Sequence, residues 1–154
     1  MAPRTALHID ILTDNPRWMG LKPTVMRATE AALKEQKIKH ASVVISLSND
    51  KTVQKLNHQY RQKNKPTNVL SFPNGEKEEG VLQLGDIILA YETIAAEAAE
   101  QKKPLKHHLT HLVVHGVLHL LGHDHEENAA AQYMEAIEIK ILARMGIANP
   151  YESE

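Results

Sequence analysis

The chain has 154 residues, of which 42% are hydrophobic and 24% charged, and its formal net charge is −1 at pH 7. This composition predicts one globular domain spanning 1–154, and it excludes a disordered chain and a protein that binds nucleic acid through a high overall positive charge. The absence of cysteine excludes disulfides and thiolate ligands, so a metal site must use histidine or carboxylate side chains.

The first segments alternate between strand and helix patterns. Residues 7–12 alternate apolar and polar side chains and predict a strand, and Pro23 then opens a helix with one apolar face. β-branched residues predict a second strand at 43–47. The next predicted helix is capped by Asn49 or Asp50 and turns Val53, Leu56 and Tyr60 inward.

The remaining segments predict two strands followed by three helices. The strands are 68–72 and 84–90, and the second is apolar enough to be central. The helices are 93–101, 104–121 and 128–145. The last helix is expected to pack Tyr133, Met134, Ile137, Ile141 and Leu142. This order predicts an α+β domain, in which about five helices cover a mixed four-stranded sheet.

No segment reads as a signal peptide or reaches membrane-spanning length. We therefore expect a cytoplasmic protein with no membrane partner.

The most informative motif runs from His115 to His125. His115 and His119 are four residues apart, so they stack on one face of a helix. Gly122 is suited to end that helix, and the chain can then turn back to bring His125 to the same point. Three imidazoles suit Zn²⁺ and leave a fourth position for water, which is the geometry of a catalytic metal. The pattern predicts a hydrolase with one zinc ion per chain.

The helix that carries this motif is largely apolar except for one polar stripe. The stripe consists of His107, His111, His115 and His119, at steps of four residues. An isolated His pair is more often structural, but a buried helix with one histidine stripe is what a metal cleft requires. The roles of His111, His123 and Asp124 stay open. Asp124 either orients a ligand imidazole or caps the turn.

The spacing of the three histidines equals that of a metalloprotease motif, with one difference. In those proteases a glutamate follows the first histidine and acts as general base. Here the position is Gly116, which cannot accept a proton. The sequence therefore disfavours peptide hydrolysis. Phosphodiester cleavage instead requires stabilisation of negative charge on the phosphoryl oxygens, which an arginine near the metal would supply.

Two acid-free basic clusters are candidates for contact with phosphates. The first runs from Lys51 to Lys65 and includes Arg61 and Lys63, and the second is Lys102, Lys103 and Lys106. Charge runs are usually solvated helix faces. If these clusters border the metal cleft, they would attract a nucleic-acid backbone.

Three sequence blocks carry a family resemblance. They are Leu-Asn-His-Gln-Tyr-Arg at 56–61, Lys-Pro-Thr-Asn-Val-Leu-Ser-Phe-Pro at 65–73 and Leu-Gly-Asp-Ile at 84–87. Together with the histidine string, they resemble the YbeY family in order and spacing. The resemblance covers about half of the chain, from 56 to 125.

The resemblance implies a metal-dependent, single-strand-specific endoribonuclease that acts in 16S rRNA 3′-end maturation and ribosome quality control. It implies zinc-ligand roles for His115, His119 and His125, and a catalytic role for Arg61. The partners implied are single-stranded RNA, the 16S rRNA precursor and the small ribosomal subunit. The family often has tyrosine at the position of His123, and many of its members have aspartate at that of Asn68.

Our leading hypothesis is that Arg61 clamps the phosphoryl group while Lys63 and Lys65 hold the RNA backbone. One alternative is a zinc-dependent peptide hydrolase with a base from another segment. The other is a non-catalytic ribosome-assembly factor, whose structural zinc would have a fourth protein ligand such as Asp124 or His111. The sequence leaves open whether water or the 2′-hydroxyl attacks.

Overall fold

The secondary-structure elements follow one another in the order β-α-β-α-β-β-β-α-α-α. In the computed structural model the strands are β1 (Ala6–Thr13), β2 (His40–Ser48), β3 (Val69–Pro73), β4 (Lys77–Glu78) and β5 (Val81–Ala90). The helices are α1 (Lys22–Glu35), α2 (Asp50–Arg61), α3 (Tyr91–Glu100), α4 (Leu105–Leu120) and α5 (Asn128–Arg144). The structure describes residues 6–13, 15–61, 67–123 and 127–152, and for Arg61 it describes the backbone alone.

The sheet has the strand order β1-β2-β5-β3, and β4 also pairs with β5. β1, β2 and β5 are parallel, whereas β3 and β4 run antiparallel to β5. The predicted mixed sheet with five helices and a central strand at 84–90 is therefore confirmed. The two-residue β4 was not predicted, because a pair of charged residues carries no periodicity.

Gly85 marks an irregularity in the central strand. Ser42 of β2 pairs with Gln83, whereas Val43 pairs with Gly85, so Leu84 is an extra residue in β5. Gly85 has a φ of 127°, and a Cβ there would overlap the carbonyl oxygen of Phe72 on β3. Only glycine fits at this point, because the backbone of β3 occupies the space of a side chain.

The two faces of the sheet are covered by different helices. On one face, α1 and α4 enclose the main apolar core, which includes buried side chains of β2 and β5. On the other face, α2 packs through Val53 against Leu70 and Ala90. Since the core side of α4 is buried along its length, the helix can present functional groups only from its remaining side.

The predicted cap of α2 is confirmed at Asn49, whose Oδ1 accepts a hydrogen bond of 2.8 Å from the backbone N–H of Thr52. The alternative, Asp50, instead caps α3, where its Oδ1 accepts a bond of 3.0 Å from the N–H of Thr93. In return, Glu92 accepts a bond of 3.1 Å from the N–H of Asp50. These two bonds join the starts of α2 and α3.

Two inward-facing predictions were wrong. Tyr60 is 62% exposed and Tyr133 is 64% exposed. Tyr60 lies near the end of α2 and packs against Phe72 in a T-shaped arrangement, with ring centroids 5.7 Å apart. Tyr133 stacks on His123 at 5.8 Å, outside the core. A tyrosine tolerates such positions because its hydroxyl is hydrated while its ring is partly covered.

None of the helices in the described part of the chain combines the length and the apolar character that crossing a membrane requires.

Candidate metal centre

Helix α4 buries nearly all of its surface and leaves one side open. From 108 to 120 every residue is buried except His111, His115 and His119, which are partly exposed. His107, one turn earlier, is exposed. The histidine stripe is therefore the open side of an otherwise buried helix, and its imidazoles face a region that solvent and ligands can reach.

Two of the predicted zinc ligands lie side by side on this stripe. The ring centroids of His115 and His119 are 4.7 Å apart, and the rings are inclined at 73°. Gly122 ends the helix as predicted, with a φ of 99°, and the N–H of His123 bonds back to the carbonyl of Leu118 at 3.0 Å. This local geometry suits two imidazole ligands of one ion.

The other predicted site groups lie outside the described residues. They are His125, Asp124, Lys63, Lys65 and the side chain of Arg61. The three-histidine ligand set and the arginine clamp therefore stay predictions.

A buried carboxylate stands behind the histidine stripe. Glu138 of α5 is completely buried, and its Oε1 lies 2.9 Å from Nε2 of His111 and 3.1 Å from Nδ1 of His115. The hydroxyl of Tyr151 donates to the same carboxylate, 3.0 Å from Oε1. Three side chains from α4 and from the segment after α5 thus converge on one carboxylate.

The ionisation of this cluster follows from its contacts. Burial raises the pKa of Glu138, but the hydrogen bonds from His111 and His115 outweigh burial and lower the pKa to about 2. Burial also raises the pKa of Tyr151, and the charge of Glu138 adds to that rise. At neutral pH, Glu138 is therefore an anion that accepts hydrogen bonds, and Tyr151 is a neutral donor.

Sequence reasoning missed Glu138 and Tyr151. The sequence did contain an indication of Glu138. Helical spacing places it on the same face of α5 as Met134, Ile141 and Leu142, which are buried. A carboxylate at an apolar register position requires partners, since an unpaired buried charge is strongly unfavourable.

Glu138 also belongs to a second set of candidate metal-binding groups. One ligand atom each from His111, His115 and Glu138 lies within 4.8 Å of the others, so this group could hold a metal ion. The set shares His115 with the predicted three-histidine site. Imidazole and carboxylate are ligand types that a divalent transition metal accepts, and the donors present on α4 and α5 therefore fit such an ion.

His123 is engaged elsewhere. Its Nε2 lies 2.7 Å from Oε1 of Gln36, just after α1, and its ring stacks on Tyr133. These contacts describe a side chain that links the end of α4 to α1 and α5. They favour a structural role for His123.

Gly116 of α4 packs against strands β5 and β3 of the sheet. A Cβ at Gly116 would be 3.2 Å from Cδ1 of Ile87 and 3.4 Å from Oγ of Ser71. A glutamate here would be forced into the apolar interface between helix and sheet. The packing thus gives a physical reason for the missing base of the metalloprotease motif.

One of the two basic clusters borders the histidine stripe. A cavity of about 550 Å³ is lined by Lys102 and Lys103 together with His107 and His111. The same cavity is also lined by Glu152, so two lysines and one carboxylate lie beside the start of the stripe.

Comparisons with known proteins agree in one family. A sequence profile described as "Endoribonuclease YbeY" matches residues 13–146. A protein of that name from Azorhizobium caulinodans is 44% identical over 153 residues, which cover 94% of this chain and 96% of the relative. One from Magnetococcus marinus is 53% identical over 120 residues, covering 71% of this chain and 82% of the relative.

A solved structure shares the fold. The solution structure of a Thermotoga maritima protein aligns with a TM-score of 0.58 and 24% sequence identity, covering 94% of this chain and 99% of that one.

Proposed function

The chain belongs to the endoribonuclease YbeY family, and we propose that it is a zinc-dependent endoribonuclease that cuts single-stranded RNA. The observation that carries the proposal is the pair of imidazoles, His115 and His119, on the open side of a buried helix. Its proposed cellular role is 16S rRNA 3′-end maturation and ribosome quality control in the cytoplasm. Its proposed partners are the 16S rRNA precursor and the small ribosomal subunit.

The proposal assigns one Zn²⁺ per chain to His115, His119 and His125. Bound zinc supplies a Lewis acid that stabilises negative charge on a phosphoryl oxygen. The chain's own contribution is to orient the imidazoles and to hold the substrate. Three imidazole donors suit zinc and disfavour ions such as Mg²⁺ and Ca²⁺, which prefer oxygen ligands.

Arg61 is proposed to bind the scissile phosphate. Its guanidinium group donates from a planar fork that matches two phosphate oxygens, and this contact strengthens as charge develops in the transition state. Lys63 and Lys65 follow it closely in sequence and are proposed to hold neighbouring phosphates of the strand.

The two rival functions are weakened by packing. A metalloprotease base at position 116 would be crowded, because a Cβ there would lie 3.2 Å from Cδ1 of Ile87. A structural zinc with His111 as fourth ligand would have to use Nδ1, because Nε2 lies 2.9 Å from Oε1 of Glu138. Nδ1 of His111 is buried, away from the open side of the stripe.

The proposal is tested by incubating zinc-loaded protein with a single-stranded RNA that spans the 3′ end of 16S rRNA, and with casein and duplex RNA in parallel. We expect cleavage of the single-stranded RNA alone. Arg61→Ala should abolish cleavage while zinc content stays near one ion per chain, and His115→Ala should lose both.

Arg27→Ala is the matched control, because Arg27 is an exposed arginine on α1. It should cut RNA at the parent rate and exclude a general effect of charge, whereas an inactive His115→Ala preparation excludes a contaminating nuclease. Cleavage by Arg61→Ala at the parent rate would contradict the role of Arg61. Cleavage of casein with intact RNA would favour the peptide hydrolase instead.

A further inference from the structure

We propose that Glu138 is a positioning residue for the metal centre: by accepting the Nδ1 proton of His115, it presents Nε2 of that ring to the ion. This inference rests on the proposed function in one respect, which is that His115 is a metal ligand. It adds a residue that lies on a different helix from the histidine stripe.

The hydrogen bond sets the tautomer of His115. The Nδ1 atom lies 3.1 Å from Oε1 of Glu138, and an ionised carboxylate can only accept. The proton of a neutral His115 ring therefore sits on Nδ1, and the lone pair that a metal needs sits on Nε2. A carboxylate behind a metal-binding histidine fixes the orientation of the ring and makes it a stronger ligand.

Glu138 is itself held in place. His111 lies 2.9 Å from Oε1, and the hydroxyl of Tyr151 donates to both oxygens, at 3.0 and 3.1 Å. Because the carboxylate is buried among these donors, it cannot rotate away from His115 without breaking them. The orientation of His115 is thus fixed by α5 and the segment after it, as well as by its own helix.

The same contacts argue against Glu138 as a metal ligand. The nitrogens of His111 and His115 lie at hydrogen-bond distance from one oxygen, Oε1, which also accepts from Tyr151. An ion bound by that oxygen would compete with all three donors for its lone pairs. It would also lie beside a completely buried group, away from the open side that an RNA strand can reach.

The test compares the zinc affinity of Glu138→Gln with that of the parent, measured by competition with a chelator. Glutamine preserves the shape but removes the charge, so we expect affinity to fall about ten- to hundredfold. Glu100→Gln is the matched control, because it makes the same charge change at an exposed position on α3. It should bind zinc as the parent does.

A second measurement needs no variant at Glu138. Nitrogen-15 NMR of the zinc-free parent should show His115 with its proton on Nδ1, and zinc should then shift Nε2. A proton on Nε2, or zinc on Nδ1, would overturn the inference even if Glu138→Gln failed to fold. A merely structural Glu138 would change the unfolding midpoint of the zinc-free chain without changing zinc affinity.

Three further variants distinguish an error in the positioning role of Glu138 from an error in the proposed metal site. Zinc affinity should collapse in His115→Ala and His119→Ala but persist in His111→Ala. Loss in His111→Ala with retention in His119→Ala would place the ion between His111, His115 and Glu138, and the positioning role would be wrong. Parent-like affinity in Glu138→Gln alone would overturn only this inference, whereas parent-like affinity in His115→Ala would also overturn the proposed metal site.

Discussion

Gly116 of α4 lies directly on Ile87 of β5, so close that a Cβ at position 116 would be 3.2 Å from Cδ1 of Ile87. Because His115 precedes Gly116 in the helix, this contact fixes the rotation of α4 about its axis. The contact turns the glycine toward the sheet and leaves His115 and His119 on the open side.

We expect Gly116→Glu to lower the free energy of unfolding by about 3 kcal/mol or more, because it buries a charge and overpacks the interface. Urea unfolding measures the loss. Lys106→Glu places the same residue at an exposed position of α4 and should change stability by no more than about 0.5 kcal/mol. Equal free energies of unfolding for the two variants would show that Gly116 does not pack against Ile87.

Gly85→Ala should lower the free energy of unfolding by more than the unfavourable backbone conformation of alanine alone would. The added Cβ would overlap the carbonyl oxygen of Phe72, so β3 must move away from the central strand. Gly75→Ala is the control, since Gly75 also has a positive φ, of 83°, but has nothing within 4 Å of a Cβ. Strain alone should cost about 1–2 kcal/mol there, and thermal unfolding should show a clearly larger loss for Gly85→Ala.

Tyr151→Phe removes one donor to the buried carboxylate of Glu138. A hydrogen bond to a charged group contributes about 1.5–3 kcal/mol, and we expect a loss of stability in the lower part of that range because Tyr151 is partly exposed. Tyr133→Phe, at a position that is 64% exposed, should be neutral. If both variants unfold at the parent urea concentration, the hydroxyl of Tyr151 does not support Glu138.

Asn68→Asp should destabilise the chain near neutral pH. Nδ2 of Asn68 donates to Oε1 of Glu97 at 2.9 Å, and aspartate would replace the donor with a second carboxylate. We expect the free energy of unfolding to fall by about 1–3 kcal/mol, which is typical when a buried polar group loses its hydrogen-bond partner. Asn74→Asp keeps its acceptor oxygen for the N–H of Glu76 and should leave the urea midpoint unchanged.

The contribution of Glu35 to the free energy of unfolding should depend on pH. Hydrogen bonds from Lys140 and the nearby charge of Arg144 lower the pKa of Glu35 below its ordinary value of 4.5, despite partial burial. Because the pKa of Glu35 is lower in the folded state, the ionised carboxylate stabilises the fold fully above pH 4.5. This stabilisation is lost as the pH falls through the folded-state pKa. Glu35→Gln should therefore be less stable than the parent at pH 7, and the difference should narrow toward pH 3. A constant difference would contradict this assignment.

The sequence was most informative where a pattern is local. The stripe of His111, His115 and His119 follows from helical spacing alone, and so does the end of α4 at Gly122. The same spacing failed at Tyr60 and Tyr133, because periodicity gives the face of a helix but not the extent of the surface it packs on.

The partners of the stripe could not be predicted, because they depend on contacts between distant segments. Glu138 reaches His115 only when α5 packs beside α4, and Tyr151 arrives from the segment after α5. The absence of a base at position 116 was visible in the sequence, but its reason was not, since Ile87 belongs to a strand far earlier in the chain.

The position of β5 also has a consequence for synthesis. Its neighbours β2, β3 and β4 all precede it along the chain, so they leave the ribosomal tunnel ahead of their common partner. Until β5 emerges, one edge of β2 stays available for wrong pairings, and such edges promote aggregation. Translation that pauses before residue 81 should therefore leave a fragment that depends on chaperones, whereas release of β5 lets the sheet close.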